Sequence, residues 1–216
     1  MVAKLLTEFI GTFFLVLSVC LTLTQGLSAA PIAIGAVLMV LTYMGGHISG
    51  AHYNPALSLA AMMRGSLRDL EILPYWLFQI LGALAGAYIS QLITGASIAL
   101  SPPDAINALS IGPWLVEILF TFVLVLVFLN STTSSGTVGN SFYGLAVGFM
   151  YGAAILAGGA ISGGAFNPAV GVGPNLIDGL STENLILHVV GPLIGAAFAT
   201  LVFRIQEGYV ARTISS

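Results

Sequence analysis

Apolar residues run through this chain in long unbroken stretches, and the length of those stretches decides which elements they predict. Spans long enough to cross a ~30 Å hydrocarbon layer as helices fall near 5–24, 30–46, 72–98, 112–130, 142–160 and 185–206. The segments between them are polar or rich in Gly, Pro and Ser: 25–29, 64–71, 99–111 with Pro102-Pro103-Asp104, 131–141 with Ser134-Ser135-Gly136, and 179–184. Beyond 206 the pattern predicts a short polar tail.

Two further apolar runs are too short to cross. Each follows an Asn-Pro-Ala box, Asn54-Pro55-Ala56 and Asn167-Pro168-Ala169, and stops about ten residues later at Arg64-Gly65 and Asp178-Gly179. Asn is a favoured N-cap, and Pro suits the first helical position because its missing N–H has no intrahelical partner there. At ~1.5 Å per residue, a ten-residue helix covers roughly 15 Å, about half of the hydrocarbon core. The pattern therefore predicts two half-helices that enter the membrane and meet end to end, positive N-termini facing each other.

The pattern also repeats. Thr7-Glu8-Phe9-Ile10-Gly11-Thr12-Phe13 is answered by Val116-Glu117-Ile118-Leu119-Phe120-Thr121-Phe122, and Gln79-Ile80-Leu81-Gly82 by His188-Val189-Val190-Gly191. Ser49-Gly50-Ala51-His52-Tyr53-Asn54-Pro55-Ala56 returns as Ser162-Gly163-Gly164-Ala165-Phe166-Asn167-Pro168-Ala169. Each half, about 1–108 and 109–216 of a single domain 1–216, holds three spans and one half-helix. An odd number of spans inverts the second half relative to the first. Gly82 and Gly86, Gly191 and Gly195, and Gly144, Gly148 and Gly152 share the four-residue spacing that lets helices approach closely.

Composition agrees: 57% of the residues are hydrophobic and 6% charged, where soluble domains carry about a quarter charged, so the chain reads as an all-α integral membrane protein. Five basic residues leave no patch for nucleic acid. Cys20, the single cysteine, can form no internal disulfide. Lys4 followed by an apolar run has the outline of a signal peptide, but no convincing cleavage site precedes the next span and the repeat requires this helix, so it is read as the first span. Lys4, Arg64, Arg68, Arg204 and Arg212 all fall on one side of the layout, with Asp104, Asp178 and Glu183 on the other, which predicts cytoplasmic termini.

These residues resemble the aquaporin (major intrinsic protein) family. The resemblance rests on Glu8 and Glu117 at the starts of spans one and four, on His47-Ile48-Ser49-Gly50-Ala51-His52-Tyr53-Asn54-Pro55-Ala56, and on Asn167-Pro168-Ala169, and it covers essentially the whole chain. It implies six tilted helices and two half-helices around a pore, assembled as a homotetramer in the membrane lipid with one pore per subunit. Asn54 and Asn167 would then present amide N–H groups to permeating oxygens at mid-pore, while the helix ends repel cations. Glu8 and Glu117, costly within spans unless partnered, would accept backbone N–H groups of the re-entrant loops. His52 would line the cytoplasmic vestibule. His188, which stands where Gln79 stands in the other half, reads as a packed or interfacial polar residue.

The family's narrow filter maps by spacing onto Ile34, Ile155, Gly164 and Val170. Most members have Arg at the last position, and water-selective ones add His and Phe; here no side-chain donor or charge remains. Ile155-Leu156-Ala157-Gly158-Gly159 together with Asn167-Pro168-Ala169-Val170 resembles certain plant tonoplast aquaporins, which keep a His on helix two that this chain lacks. Gly171 stands where glycerol-conducting members generally have Asp. A filter without Arg admits larger neutral solutes by its width, but a narrow apolar ring can also dewet.

The function expected is thus a passive channel for water and small uncharged solutes. It needs no cofactor, metal or nucleotide, and no nucleophile–base constellation is visible that would make it an enzyme. Two other classes remain open at this point: an inverted-repeat secondary transporter that uses Glu8 and Glu117, and a closed structural membrane protein.

Overall fold

The computed structural model describes residues 1–103, 106–179 and 181–215, with the side chains of 214 and 215 left aside. Its elements are helices: α1 (Val2–Thr24), α2 (Ala30–Ser49), α3 (Pro55–Arg64), α4 (Ile72–Thr94), α5 (Ile111–Thr132), α6 (Tyr143–Ser162), α7 (Pro168–Asp178) and α8 (Thr182–Ser215). Single 3-10 turns lie at Asp69–Glu71 and Ser135–Thr137. Among the described residues six helices are long and apolar enough to cross a membrane, and α3 and α7 are half that length.

The long helices pack chiefly as α1 on α4, α2 on α6 and α5 on α8. The glycine series explain how closely. A Cβ placed on Gly82 would stand 2.5 Å from the carbonyl oxygen of Phe9 on α1, and one on Gly195 or Gly148 would collide with the carbonyl of Ile118 or Gly35. In lipid the hydrophobic effect does not draw helices together, so van der Waals contact at such glycines supplies much of the attraction. The half-helices fill the centre of the bundle: α3 packs on α8, α4 and α5, and α7 on α4, α8 and α1.

Two sequence expectations need correction. The residues after 206 are not a polar tail; α8 continues through Ser215. Its extension has something to hold, because Glu207 accepts from Ser134 Oγ at 2.6 Å and Ser135 N at 2.9 Å, and lies 3.8 Å from Arg64. Helix α4 stops at Thr94 rather than near 98, because Gly95 turns the backbone left-handed (φ 73°).

The basic residues collect at one end. Lys4 and Arg68 pair with Glu71 at 3.4 and 3.0 Å, and Arg204 bonds the carbonyl of Met63. Asp178 sits at the other end against Ser97. Asp104, expected there too, lies outside the described residues.

Candidate functional site between two cavities

Both half-helices start as capping chemistry dictates. Asn54 and Asn167 are extended (φ −156° and −158°), and each side-chain oxygen accepts from the N–H two residues on, at 2.8 Å from Ala56 and 2.9 Å from Ala169. Each amide nitrogen crosses to the opposite loop. Asn54 Nδ2 donates to the carbonyl of Phe166 (3.0 Å), and Asn167 Nδ2 to that of Tyr53 (2.9 Å). One N–H of each amide is therefore spent on the other loop, and one is left over.

The approach to each cap is strained. Tyr53 and Phe166, directly before the Asn residues, adopt φ 49° and 46°, and Ala51 adopts 51°. Such conformations cost on the order of 1–3 kcal/mol each and persist only where surroundings hold them. Here the holders are carboxylates. Glu8 accepts from His52 N (3.0 Å), Tyr53 N (2.7 Å) and Ser49 Oγ (2.6 Å), and from Gln79 Nε2 (2.7 Å). Glu117 accepts from Ala165 N (3.1 Å), Phe166 N (2.8 Å) and Ser162 Oγ (2.7 Å). Tyr53 also drives its ring between helices: a Cβ on Gly11 or Gly45 would overlap it, and its hydroxyl donates to Leu41 O at 3.0 Å.

On either side of the paired caps lies a cavity. The one at the end away from the basic residues measures about 310 Å³, and Ile34, Ile155, Gly164 and Val170 all line it. So do Leu100 and Tyr151, which sequence reasoning missed. Segment 99–111 has no helical or strand period to place it, and Leu100 is positioned by contacts distant in sequence: Asn175 Nδ2 donates to its carbonyl at 3.1 Å. The cavity at the basic end, about 560 Å³, is lined by His52, His47, Tyr75 and Phe128 and by the connector through Thr137 and Asn140. His52 is fixed there by Ser58 (Nδ1 to Oγ, 3.0 Å) and by the rings of Tyr75 and Phe128. Asn54 and Asn167 line neither cavity and are 3% and 1% exposed, buried between the two. Among the described residues, no three His, Cys, Asp or Glu side chains converge in a way that could hold a metal ion.

Residues 1–203 match the family model described as major intrinsic protein. The chain belongs to that family. Aquaporin TIP1-2 of Zea mays is 37% identical over 184 residues, covering 83% of this chain and 71% of that protein. Aquaporin-8 of Mus musculus is 31% identical over 217 residues, with 94% and 81% covered. The X-ray structure of the aquaglyceroporin from Plasmodium falciparum superposes with a TM-score of 0.76 at 21% identity over 94% of this chain and 95% of that one, a likeness of fold. The protein is an integral multi-pass membrane protein and a channel of the aquaporin type for water and small solutes. Channels of this family are non-enzymatic.

Proposed function

We propose that the path runs from one cavity to the other past the paired caps, and that Ile34, Ile155, Gly164 and Val170 form its filter. One observation carries this reading. The four positions come from three helices and the loop before α7 and were carried over from the family's filter by spacing from the Asn-Pro-Ala boxes, yet they line a single cavity. None offers a side-chain donor or a charge, so a passing solute has backbone groups near Gly163 and Gly164 as its polar partners. Beyond the filter it meets the remaining amide N–H of Asn54 and Asn167, where the positive ends of α3 and α7 disfavour cations and a continuous proton wire. His52 lines the cavity at the basic end, and Glu8 and Glu117 support the loops that carry the caps.

The same reading takes 1–216 as one channel domain of two inverted halves, with both termini on the cytoplasmic side where the basic residues gather. Assembly as a homotetramer follows from the family likeness. A solute of glycerol size meets no carboxylate beside the filter, since position 171 is Gly, and any Cβ there would overlap His188.

The test is Val170→Arg in liposomes at matched protein density, by stopped-flow light scattering. A guanidinium at the filter narrows it and adds donors for water, so the permeability ratio of urea or glycerol to water falls. An unchanged ratio in a folded variant removes Val170, and with it the filter assignment, from the narrowest point.

A further inference from the structure

The two halves hold their re-entrant loops by different means. In the first half, α4 presents three donors along one face. Tyr75 Oη donates to the carbonyl of Ser49 (2.9 Å), Trp76 Nε1 to the carbonyl of Pro55 (3.0 Å), and Gln79 Nε2 to Glu8 (2.7 Å) and Ser58 Oγ (2.8 Å). The corresponding positions of α8 are Asn184, Leu185 and His188. Leu185 has no donor side chain, and the place of Ser58 is taken by Gly171.

What remains is His188, fully buried. Its Nε2 lies 2.7 Å from the carbonyl of Ser162 and 3.9 Å from Glu117 Oε1. A carbonyl can only accept, so Nε2 carries the proton and donates. His188 thus stands in the place of Gln79 but bonds the carbonyl that answers the one held by Tyr75. Glu117 accordingly lacks the side-chain donor that Glu8 receives from Gln79. The two helices also approach closely here: a Cβ on Gly171 would overlap the Cβ of residue 188, an atom any side chain there would carry. Nδ1 has no hydrogen-bond partner among the described residues, so the whole polar investment of this side chain is the bond to Ser162.

Ser162 is a junction. Its hydroxyl donates to Glu117 and accepts from Gly164 N at 3.1 Å. Gly163 and Gly164 follow at φ 92° and 70°, and both line the cavity with Val170. We propose that His188 is the positioning residue of the second loop: through the Ser162 carbonyl it sets where the Gly163–Gly164 wall stands and so which neutral solutes pass relative to water. The inference rests on the filter reading given above.

Three variants test it, His188→Leu, His188→Gln, and His188→Gln combined with Asn184→Tyr. Leu leaves a buried carbonyl unpaired. Gln is drawn to Glu117, as Gln79 is to Glu8, and releases Ser162. The added Tyr restores a donor to Ser162 in the manner of Tyr75. Two quantities are measured on the full-length channel: hydrogen exchange of the backbone amides of 163–166, and the urea-to-water permeability ratio in liposomes, with Val170→Arg run alongside. Loss of one such bond speeds exchange about fivefold in the single variants. The permeability ratio shifts in the same variants, and the double variant brings both readings back toward wild type. Where His188→Leu does not fold, His188→Gln and its rescue carry the decision. Exchange that stays at the wild-type rate in His188→Gln overturns the proposal. So does faster exchange with an unchanged ratio while Val170→Arg shifts it, since the loop then moves without consequence for passage. A ratio unmoved by Val170→Arg itself overturns the filter reading, and the selectivity role of His188 with it.

Discussion

Asn54 and Asn167 each hold the other's loop, Nδ2 of the first on the carbonyl of Phe166 and Nδ2 of the second on that of Tyr53, at 3.0 and 2.9 Å. The contact is reciprocal, so the two half-helices are tied at their N-termini, where they would otherwise repel as like-signed dipole ends. Replacing either Asn by Ala removes a cap worth about 1 kcal/mol and leaves a buried carbonyl without its partner, about 1–3 kcal/mol more. Asn→Asp keeps the cap but sets a buried carboxylate oxygen against the carbonyl of the opposite loop, where Nδ2 had donated. Thermal unfolding in detergent is expected to fall by similar amounts in Asn54→Ala and Asn167→Ala, and by more in the Asp variants. Unequal falls in the two Ala variants would show that the tie does not act symmetrically.

Glu8 and Glu117 face backbone donors with both oxygens. A Gln side chain has one acceptor oxygen, so in each variant an N–H of the left-handed segment meets an amide NH₂. The expected loss is about 1–3 kcal/mol of stability per variant. Flux per folded channel should remain passive and indifferent to a pH gradient. Wild-type melting behaviour in Glu117→Gln would contradict the supporting role of the carboxylate.

Topology is checked at Val138 and Ala96. Val138 is 84% exposed on the connector at the basic end, and Ala96 is exposed at the opposite end. In a Cys20→Ala background, an impermeant thiol reagent applied to intact cells should label Ala96→Cys and spare Val138→Cys. The reverse pattern would place the basic end outside, against the usual excess of Lys and Arg on the cytoplasmic side.

Helix contact makes opposite predictions for two glycines. A methyl on Gly148 would collide with the carbonyl of Gly35, whereas nothing lies within 4 Å of the position a Cβ would take on Gly208 of α8. Gly148→Ala should destabilise by about 1–3 kcal/mol through forced separation of α2 and α6. Gly208→Ala should stabilise by about 0.4–1 kcal/mol, because it restricts the unfolded chain at no steric cost. The measurement is again thermal unfolding. Equal effects at the two positions would mean that the α2–α6 contact is not close in solution.

Much of this protein was legible in the sequence because the relevant physics is local. Run length set the six spans, since a membrane demands about 20 apolar residues per crossing helix. Asn followed by Pro set the starts of α3 and α7, since a cap is made within three residues. Four-residue glycine spacing marked the contacts of α4, α6 and α8, since a helix repeats a face at that interval. What the sequence left open depends on partners far along the chain. The extension of α8 to Ser215 follows from Glu207 finding Ser134 and Ser135 across the fold. The entry of Leu100 into the cavity follows from Asn175, which lies 75 residues away. Above all, the repeat assigns His188 the place of Gln79, yet in space it bonds the Ser162 carbonyl, the counterpart of the one Tyr75 holds. Matching positions in a repeated sequence fix which side chains are near; which donor reaches which acceptor is decided only when side chains of different length compete for the same few buried oxygens.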